Sequence, residues 1–390
     1  MKFFRYINIF IILLFTSSCG GGGSGAVPTI SFDYTTGTPS NSTNANSNLL
    51  LGSNSSLPYT DVNGNNYASL TAANNALNSG LYPIATQDTS ASTAWNNGWT
   101  GSGVKVGVAD DFNSNGQIDV HGDWVSLVIN SVAPEATLGL ENIYDLGNPC
   151  GASLSSTFNS VNNAYDVMET QGYHIVNNSW GIEKYYVDCG NNGVLIADSI
   201  WNNSVNSEVQ ATINSSVTPY NSNMLFVYAA GNSAQNCGSS SLDDCNYFAA
   251  IFKGLKDAGL SNPTSRIIWV GSVTDGGTNI ASYSLQAGDM GEDFIVAHDD
   301  VLTSGDAAGT SFAAPRVVGA AALLRHKFPN LNGSALKQVL LQTATDLGAK
   351  GVDNIYGYVI WLLKTNNYGA IEWQRTFQTD TTNPNGDGDN

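Results

Sequence analysis

Basic side chains are scarce in this chain of 390 residues. Its 14 Lys and Arg stand against 32 Asp and Glu, which gives a net charge of −18 and a pI near 4.3. A chain of this charge repels nucleic-acid phosphates and anionic lipid surfaces, so nucleic acid is not an expected partner. Charged residues make up only 12% of the chain, but hydrophobic residues make up 42% and aromatic residues 10%. This composition supplies a large core and excludes a disordered or collagen-like protein.

The N-terminus lacks an apolar run long enough to span a bilayer. Lys2 and Arg5 precede a largely apolar run of only nine residues, 7–15, a pattern typical of a secretory signal. Small residues then lead to Cys19 and to a glycine-rich stretch at 20–25. The arrangement resembles a bacterial lipoprotein cleavage site, at which Cys19 becomes the lipidated first residue and the glycines form a flexible tether.

The end of the signal leaves two interpretations open. Thr16 stands where lipoprotein signals usually have Leu, so an ordinary cleaved signal with an incidental Cys19 is the alternative. Gly20 rather than Asp follows the cysteine, which in a Gram-negative lipoprotein leaves the protein free to reach the outer membrane or the cell surface. We therefore expect an exported cell-envelope protein that touches the membrane only through a lipid anchor.

Cysteine is also rare, and its number agrees with export. Setting Cys19 aside leaves an even set of four: Cys150, Cys189, Cys237 and Cys245. Two disulfides are the natural inference in an oxidising compartment, with three possible pairings. Closeness in sequence favours Cys237 with Cys245 and leaves Cys150 with Cys189. A zinc site is the rival interpretation, but none of the spacings forms a Cys-x-x-Cys pair.

Composition divides the chain into four segments. These are a signal at 1–19, a Gly, Ser and Asn-rich linker or stalk at 20–91, a folded domain at 92–364 and a polar tail at 365–390. Length alone also permits two or three domains. Within the folded segment, buried strand patterns such as 224–230 alternate with helical patterns. The alternation predicts an α/β fold with a mainly parallel sheet between helices.

A glycine turn leads into an apolar helix where residues 309–315 read Gly-Thr-Ser-Phe-Ala-Ala-Pro. Ser311 is predicted at the helix N-terminus, beside unpaired N–H groups and the positive end of the dipole. That position suits a nucleophile whose reaction generates an oxyanion. Pro315 is expected in the first turn, where proline is tolerated. The alternative is that Ser311 only caps the helix.

A serine nucleophile needs a base, and the chain has only four histidines. Three are expected at a strand start, in an acidic loop and at a solvated helix end: His174, His298 and His326. His121 opens an amphipathic helix instead. Just upstream, the strand pattern 104–109 ends in Asp110 and Asp111, at the carboxyl edge of the parallel sheet, where such folds gather their sites. Each of these pairs taken alone also has a structural explanation.

The order Asp110, His121, Ser311 is that of subtilisin. The surrounding motifs resemble the subtilisin-like serine proteases, the subtilases of peptidase family S8. Residues 309–315 match that family's Gly-Thr-Ser-x-Ala-x-Pro, and 121–125 match its His-Gly-x-x-Val. Three more matches are its Asp-bearing strand, its substrate-binding strand and its oxyanion segment, at 104–110, 178–181 and 229–232. The resemblance covers 92–364 and implies a subtilisin-like three-layer fold.

The resemblance implies a role for each motif. Asp110, His121 and Ser311 would form the triad, and the Asn232 amide would complete the oxyanion hole. The substrate would be bound by Ser179, Trp180, Gly181 and Gly231. The implied activity is that of a serine endopeptidase acting on extracytoplasmic proteins. Protein or peptide substrates are then the expected partners, no cofactor is required for catalysis, and we expect a monomer.

The sequence also departs from the family pattern. Residues 110–112 read Asp-Asp-Phe where Asp-Ser-Gly or Asp-Thr-Gly is usual, and the strand register assigns Asp110 rather than Asp111 to the triad. His121 follows after only eleven positions, much sooner than is normal. Ala-His-Asp at 297–299 replaces Ala-Pro-Gly. These departures motivate a second hypothesis, a catalytically inactive surface lipoprotein of the same fold that acts as a binding module.

The short connection itself has two interpretations. Its oxygen-bearing side chains have the spacing of the first nine positions of an EF-hand-type calcium loop: Asp111, Asn113, Asn115 and Asp119, with Gly116 at the turn. Gly122 occupies position twelve, where a bidentate Glu is expected, and Asn-Gly is also a common turn. Structural calcium is therefore one interpretation, with no ligand set assigned.

Overall fold

The computed structural model describes residues 33–39, 91, 94, 97–112, 121–143, 154–187, 193–214, 223–260, 265–274, 279–299, 308–344 and 346–359. Several predicted features lie outside these ranges: Cys19, Cys150, Cys189, the polar tail, and most of the linker and of the calcium loop. Within the described ranges, no helix is both long and apolar enough to cross a bilayer.

A parallel sheet forms the centre of the molecule. The described strands are β1 (Lys105–Asp110), β2 (Thr137–Asn142), β3 (Ile175–Asn178), β4 (Tyr185–Val187), β5 (Gly193–Leu195), β6 (Leu225–Ala229), β7 (Ile267–Val273), β8 (Phe294–His298) and β9 (Tyr358–Val359). Seven of them pair in the order β2-β1-β3-β6-β7-β8-β9, with every neighbouring pair parallel. β4 and β5 form a separate antiparallel hairpin.

Helices cover both faces of this sheet. The described helices are α1 (His121–Val132), α2 (Leu154–Thr170), α3 (Asp198–Asn214), α4 (Leu242–Cys245), α5 (Tyr247–Asp257), α6 (Thr310–Lys327) and α7 (Gly333–Thr343). Along β6, Leu225 and Val227 point into a core shared with α1, α6 and α7, whereas Phe226 and Tyr228 point into one shared with α2, α3 and α5. The predicted α/β fold with a parallel sheet between helices is confirmed.

The helix that carries Ser311 is almost entirely buried. Nearly every residue of α6 is buried, since the helix packs against α1 on one side and against the central strands on the other. Gly319 permits the contact with α1, because a Cβ at this position would lie 2.5 Å from the Cβ of Val132. The close approach packs the C-terminal end of α1 against the middle of α6.

Part of the predicted linker is packed onto the domain. In the segment 33–39, the Gly37 N–H donates to the Lys327 carbonyl at 2.7 Å, and the ring of Tyr34 stands edge-on to that of Phe328 at 5.3 Å. These residues of the predicted linker or stalk therefore lie against the end of α6. The predicted start of the domain at 92 is also late by at least one residue, because Ala91 already lies in the core.

The same packing overturns the prediction of a solvated His326. This side chain is only 7% exposed, its Nδ1 accepts the Thr100 N–H at 3.1 Å, and its Nε2 lies 3.0 Å from the Thr38 carbonyl oxygen. The ring of Trp99 covers it edge-on at 5.3 Å. His326 is buried because two segments from the N-terminal part of the chain close over the end of α6.

The strand order indicates a ligand crevice beyond the carboxyl ends of the central strands. From β1 the chain crosses through α1 to β2 on one side, then returns through α2 to β3 on the other side of β1. The order therefore reverses between β1 and β3, and in parallel α/β sheets ligands bind beyond the carboxyl ends of such strands. Asp110 ends β1, Ser179 follows β3, and Asn232 follows the adjacent β6.

Candidate active site

A buried carboxylate and an imidazole form the first part of the site. Asp110 is fully buried at the end of β1, and its Oδ1 lies 2.7 Å from Nδ1 of His121. The Asp111 N–H donates to the same oxygen at 2.8 Å, so Asp110 and not Asp111 faces the ring. Donation from Nδ1 leaves Nε2 of His121 as the acceptor nitrogen, and Nε2 has no hydrogen-bond partner among the described residues.

The electrostatics of this pair favour a basic imidazole. Burial lowers the pKa of His121, but its hydrogen bond to Asp110 and the charges of Asp110 and Asp111 outweigh it, so the pKa is raised. Burial raises the pKa of Asp110, and the hydrogen bond and charge of His121 oppose that shift. The carboxylate thus orients the ring and stabilises its protonated form.

Glycine at 122 allows the start of α1 to lie close against the backbone of Asp111. The Gly122 N–H donates to the Asp111 carbonyl at 3.0 Å, and a Cβ there would lie 2.4 Å from that same oxygen. The imidazole consequently faces the start of α6, where its ring centroid is 5.6 Å from that of Phe312. Phe312 directly follows Ser311, so the imidazole lies beside the turn of α6 that carries the predicted nucleophile.

Ser311 and Ser179 are joined by two reciprocal hydrogen bonds. The Ser311 hydroxyl donates to the Ser179 carbonyl at 2.9 Å, and the Ser179 hydroxyl donates to the Ser311 carbonyl at 2.7 Å. Pro315 explains the second bond, because it has no N–H for the carbonyl four residues earlier. Since α6 begins at Thr310, Pro315 lies in the second turn, and the expectation of the first turn is wrong.

The cap interpretation of Ser311 is also wrong. The N-cap of α6 is Gly309, and Ser311 is the second residue of the helix, with a hydroxyl that donates instead of accepting. Its backbone N–H is one of the orphan donors of a helix start and has no acceptor in the described part of the chain. Ser311 therefore offers both a hydroxyl and an N–H at the crevice.

Asn232 is held next to this N–H by Thr310. The Asn232 Oδ1 accepts from the Thr310 N–H at 3.0 Å and from its hydroxyl at 3.1 Å. The Thr310 hydroxyl oxygen in turn accepts the Gly231 N–H at 3.0 Å. With its oxygen fixed, the Asn232 amide nitrogen has no partner among the described residues. The arrangement supplies a side-chain donor beside the start of α6.

The residues predicted to bind substrate differ in how much of each is accessible to a substrate. Ser179 is buried and tied to Ser311, whereas Gly181 is exposed. The Trp180 side chain is only 7% exposed and packs edge-on against Phe248 at 5.3 Å. What 179–181 can offer a substrate is therefore its main chain.

Three residues that hold the site were not singled out as site residues from the sequence. Thr310 fixes Asn232, as described above, and Glu183 accepts the Asn232 backbone N–H. Asp299, noted only as a departure from a motif, accepts the Gly309 N–H at 2.8 Å and the Tyr283 hydroxyl. An acidic residue directly after a buried strand was the one signal that could have marked Asp299.

The loop after Asn232 carries a cross-link. Cys237 and Cys245 form a disulfide whose Cα atoms are 6.1 Å apart, the pairing that closeness in sequence favoured. The predicted partner pair of Cys150 and Cys189 lies outside the described residues. Among those residues, no cluster of three or more His, Cys, Asp or Glu side chains is arranged to hold a metal ion.

Comparison with known proteins places these motifs in a family. The sequence profile of the subtilases matches residues 103–359, which include Asp110, His121, Asn232 and Ser311. The chain belongs to the subtilase family. This subtilase is 30% identical over 290 residues to subtilisin BL of Lederbergia lenta, a match that spans 68% of this chain and 91% of that protein.

Two further relatives are named as an antigen and as an autotransporter lipoprotein. It is 30% identical over 224 residues to serotype-specific antigen 1 of Mannheimia haemolytica, across 51% of this chain and 21% of the antigen. It is 53% identical over 51 residues to the Neisserial autotransporter lipoprotein NalP of Neisseria meningitidis serogroup B, across 13% of this chain and 5% of NalP. The matched part is thus about a fifth or less of these two relatives.

Proposed function

We propose that this subtilase is a serine endopeptidase with Asp110, His121 and Ser311 as its triad. The observation that carries the proposal is the buried Asp110–His121 hydrogen bond beside the start of α6, where Ser311 presents its hydroxyl. A carboxylate that fixes Nδ1 leaves Nε2 to take the serine proton, which is the division of labour in serine-protease triads.

In the proposed reaction, the Ser311 oxygen attacks the carbonyl carbon of a peptide bond while its proton passes to Nε2 of His121. The tetrahedral intermediate collapses when His121 returns that proton to the leaving amine. Water then hydrolyses the acyl-enzyme by the same route, with His121 as base and then as acid. Before attack the Ser311 hydroxyl must turn away from the Ser179 carbonyl, to which it donates in the resting structure.

That rotation suits substrate binding. Once the Ser311 hydroxyl has left, the Ser179 carbonyl is free to accept an N–H from an extended substrate. An added strand along 179–181 would bind through its main chain and impose little side-chain demand. The oxyanion would be stabilised by the Asn232 amide and the Ser311 N–H. Removal of such an asparagine from subtilisin costs about 10²–10³ in turnover, and we expect a similar loss for Asn232→Ala.

Export as a lipoprotein is the second part of the proposal. It rests on the signal pattern that ends at Cys19 and on the relatives named as an antigen and as an autotransporter lipoprotein. Substrates would then be proteins of the envelope or the medium. Incorporation of labelled palmitate into the wild type but not into Cys19→Ser tests the anchor, and equal labelling of both would rule it out.

The activity is tested with the full-length protein on casein and on labelled peptides. Wild type should hydrolyse both and bind a fluorophosphonate probe, whereas Ser311→Ala should do neither. A parallel assay with a calcium chelator tests the loop that begins at Asp111. Ser131→Ala, a buried serine of α1, is the matched control and should leave labelling intact.

The outcome also separates the two hypotheses. A folded wild type that neither hydrolyses peptides nor binds the probe would refute the endopeptidase and favour the inactive binding module. Activity that persists in Ser311→Ala would refute the triad assignment alone.

A further inference from the structure

The backbone of Asn232 is bound by a carboxylate that comes from a distant part of the chain. The Asn232 N–H donates to both carboxylate oxygens of Glu183, at 3.0 Å and 3.1 Å, across 49 positions of sequence. The contact is independent of the Thr310 contacts, which hold the side-chain oxygen of the same residue. Asn232 is therefore fixed at two points, the backbone and the side chain.

Glu183 is itself rigidly placed. On one side of it the Ile182 carbonyl accepts the Tyr247 N–H at 2.8 Å, and on the other the Lys184 N–H donates to the Cys245 carbonyl at 2.8 Å. Glu183 also forms an antiparallel bridge with Asn246. A short stretch directly after the substrate-binding strand is thus paired with the junction of α4 and α5.

That junction is tied back to the Asn232 segment by two further links. The buried Asn246 side chain donates from Nδ2 to the Ala230 carbonyl at 2.9 Å. The disulfide between Cys237 and Cys245 closes the loop that follows Asn232. The segments that carry Glu183 and Asn232 are consequently both bonded to the α4–α5 junction, which holds the carboxylate and the Asn232 N–H in a fixed arrangement.

Glycine before Asn232 gives the carboxylate its place. Gly231 has φ +120, and a Cβ on it would lie 2.9 Å from Cδ of Glu183. The carboxylate rests against this bare backbone. A side chain at 231 would push Glu183 away and remove the acceptor of the Asn232 N–H.

We propose that Glu183 is a positioning residue for the oxyanion donor Asn232. The inference rests on the proposed endopeptidase function and adds a residue to its machinery. By holding the backbone N–H, Glu183 fixes the Cα from which the Asn232 side chain departs, and Thr310 fixes the far end. Because the amide donor is used fully only when the oxyanion develops, its loss of alignment lowers kcat more than it changes KM.

The test is a double-mutant cycle on the full-length protein. Glu183→Ala should lower kcat about ten- to a hundredfold at nearly constant KM, since small misplacements of catalytic groups cost about that much. Glu183→Gln keeps an oxygen that accepts the N–H and should restore most of kcat. In an Asn232→Ala background, Glu183→Ala should have almost no further effect on kcat, because the group it positions is gone.

The controls keep the inference separable from folding and from the proposed function. Glu169→Gln removes an exposed carboxylate of α2, far from the crevice, and should match wild type. If Glu183→Ala does not fold, Glu183→Asp replaces it, because its shortened carboxylate should lower kcat while Glu183→Gln does not. An active wild type with unchanged kcat in Glu183→Ala, or an equal loss in the Asn232→Ala background, overturns the inference. An inactive wild type refutes the proposed function instead.

Discussion

A histidine lies at each end of α6, His121 beside its start and His326 in its last turn, and the two have opposite character. At the N-terminal end, His121 shares a hydrogen bond with a buried carboxylate, and its pKa is raised. At the C-terminal end, His326 is enclosed by backbone groups, and burial lowers its pKa despite the Thr38 carbonyl and the charge of Glu135. Burial lowers the pKa of both rings, so the hydrogen-bond partner and nearby charges of each ring decide whether its pKa is raised or lowered overall.

The comparison shows which surroundings favour a basic imidazole in this fold. His326 uses both ring nitrogens, one to accept the Thr100 N–H and one to donate to the Thr38 carbonyl, and is therefore held neutral. His121 uses only Nδ1, which donates to the Asp110 carboxylate. Its Nε2 therefore remains an acceptor, and the nearby negative charge stabilises the protonated ring. The first arrangement suits structure, and the second suits proton transfer.

The largest effect should come from removing the acidic partner. Asp110→Asn keeps the shape of the side chain but removes the charge that orients and stabilises His121. Turnover should fall by about 10⁴, as it does when a triad aspartate becomes asparagine in another serine protease. Rates on a labelled peptide measure this. A loss below tenfold would mean that His121 does not depend on Asp110.

The second prediction concerns the pH dependence of kcat/KM. Protonated His121 cannot accept the Ser311 proton, so kcat/KM should fall about tenfold per pH unit below its pKa. Because that pKa is raised, the midpoint should lie above the ordinary histidine value of about 6.5. His326→Gln, the matched control, should leave the midpoint unmoved. A midpoint below the ordinary value would contradict the role assigned to the Asp110 charge.

Local sequence patterns predicted the parts of this site that depend on strand ends and helix starts. Asp110 ends a strand of alternating valines and was placed at the carboxyl edge of the sheet, and Ser311 follows a glycine turn and was placed at the start of an apolar helix. His121 could be chosen because it opens an amphipathic helix one connection later. Chain order and hydrophobic period locate such positions, and the resemblance to the subtilases implied their roles.

Contacts between distant segments could not be predicted in this way. Glu183 reaches Asn232 across 49 positions, and His326 is buried by residues from the other end of the chain. The start of α6 was misplaced because the glycine that precedes Thr310 serves as its N-cap, which moves Pro315 into the second turn. In each case the residue that determines the contact or the helix start does not belong to a periodic hydrophobic pattern.

The third prediction tests whether His326 is purely structural. His326→Ala leaves the Thr100 N–H and the Thr38 carbonyl without partners and opens a space beside Trp99. We expect a loss of about 2–4 kcal/mol in the free energy of unfolding. Turnover should be unchanged, because His326 lies about 22 Å along the helix from Ser311. Urea unfolding and peptide hydrolysis measure the two quantities. A parallel fall in kcat would show that the two ends of α6 are coupled.

The smallest effect is the acid dependence of stability that His326 contributes. Its pKa is lowered in the folded state, so below the ordinary value the unfolded chain binds a proton that the native protein does not. The free energy of unfolding should therefore decrease as the pH falls below about 6.5, by at most about 1.4 kcal/mol per pH unit for this group. His174, whose pKa is lowered to about 4, acts in the same direction. Urea titrations of wild type and His326→Gln cancel that common contribution, since glutamine preserves an acceptor and a donor but does not titrate. The variant should lose less stability than wild type between about pH 7.5 and 5. If the free energy of unfolding falls equally with pH in both proteins, His326 takes up its proton in the folded protein as readily as in the unfolded chain.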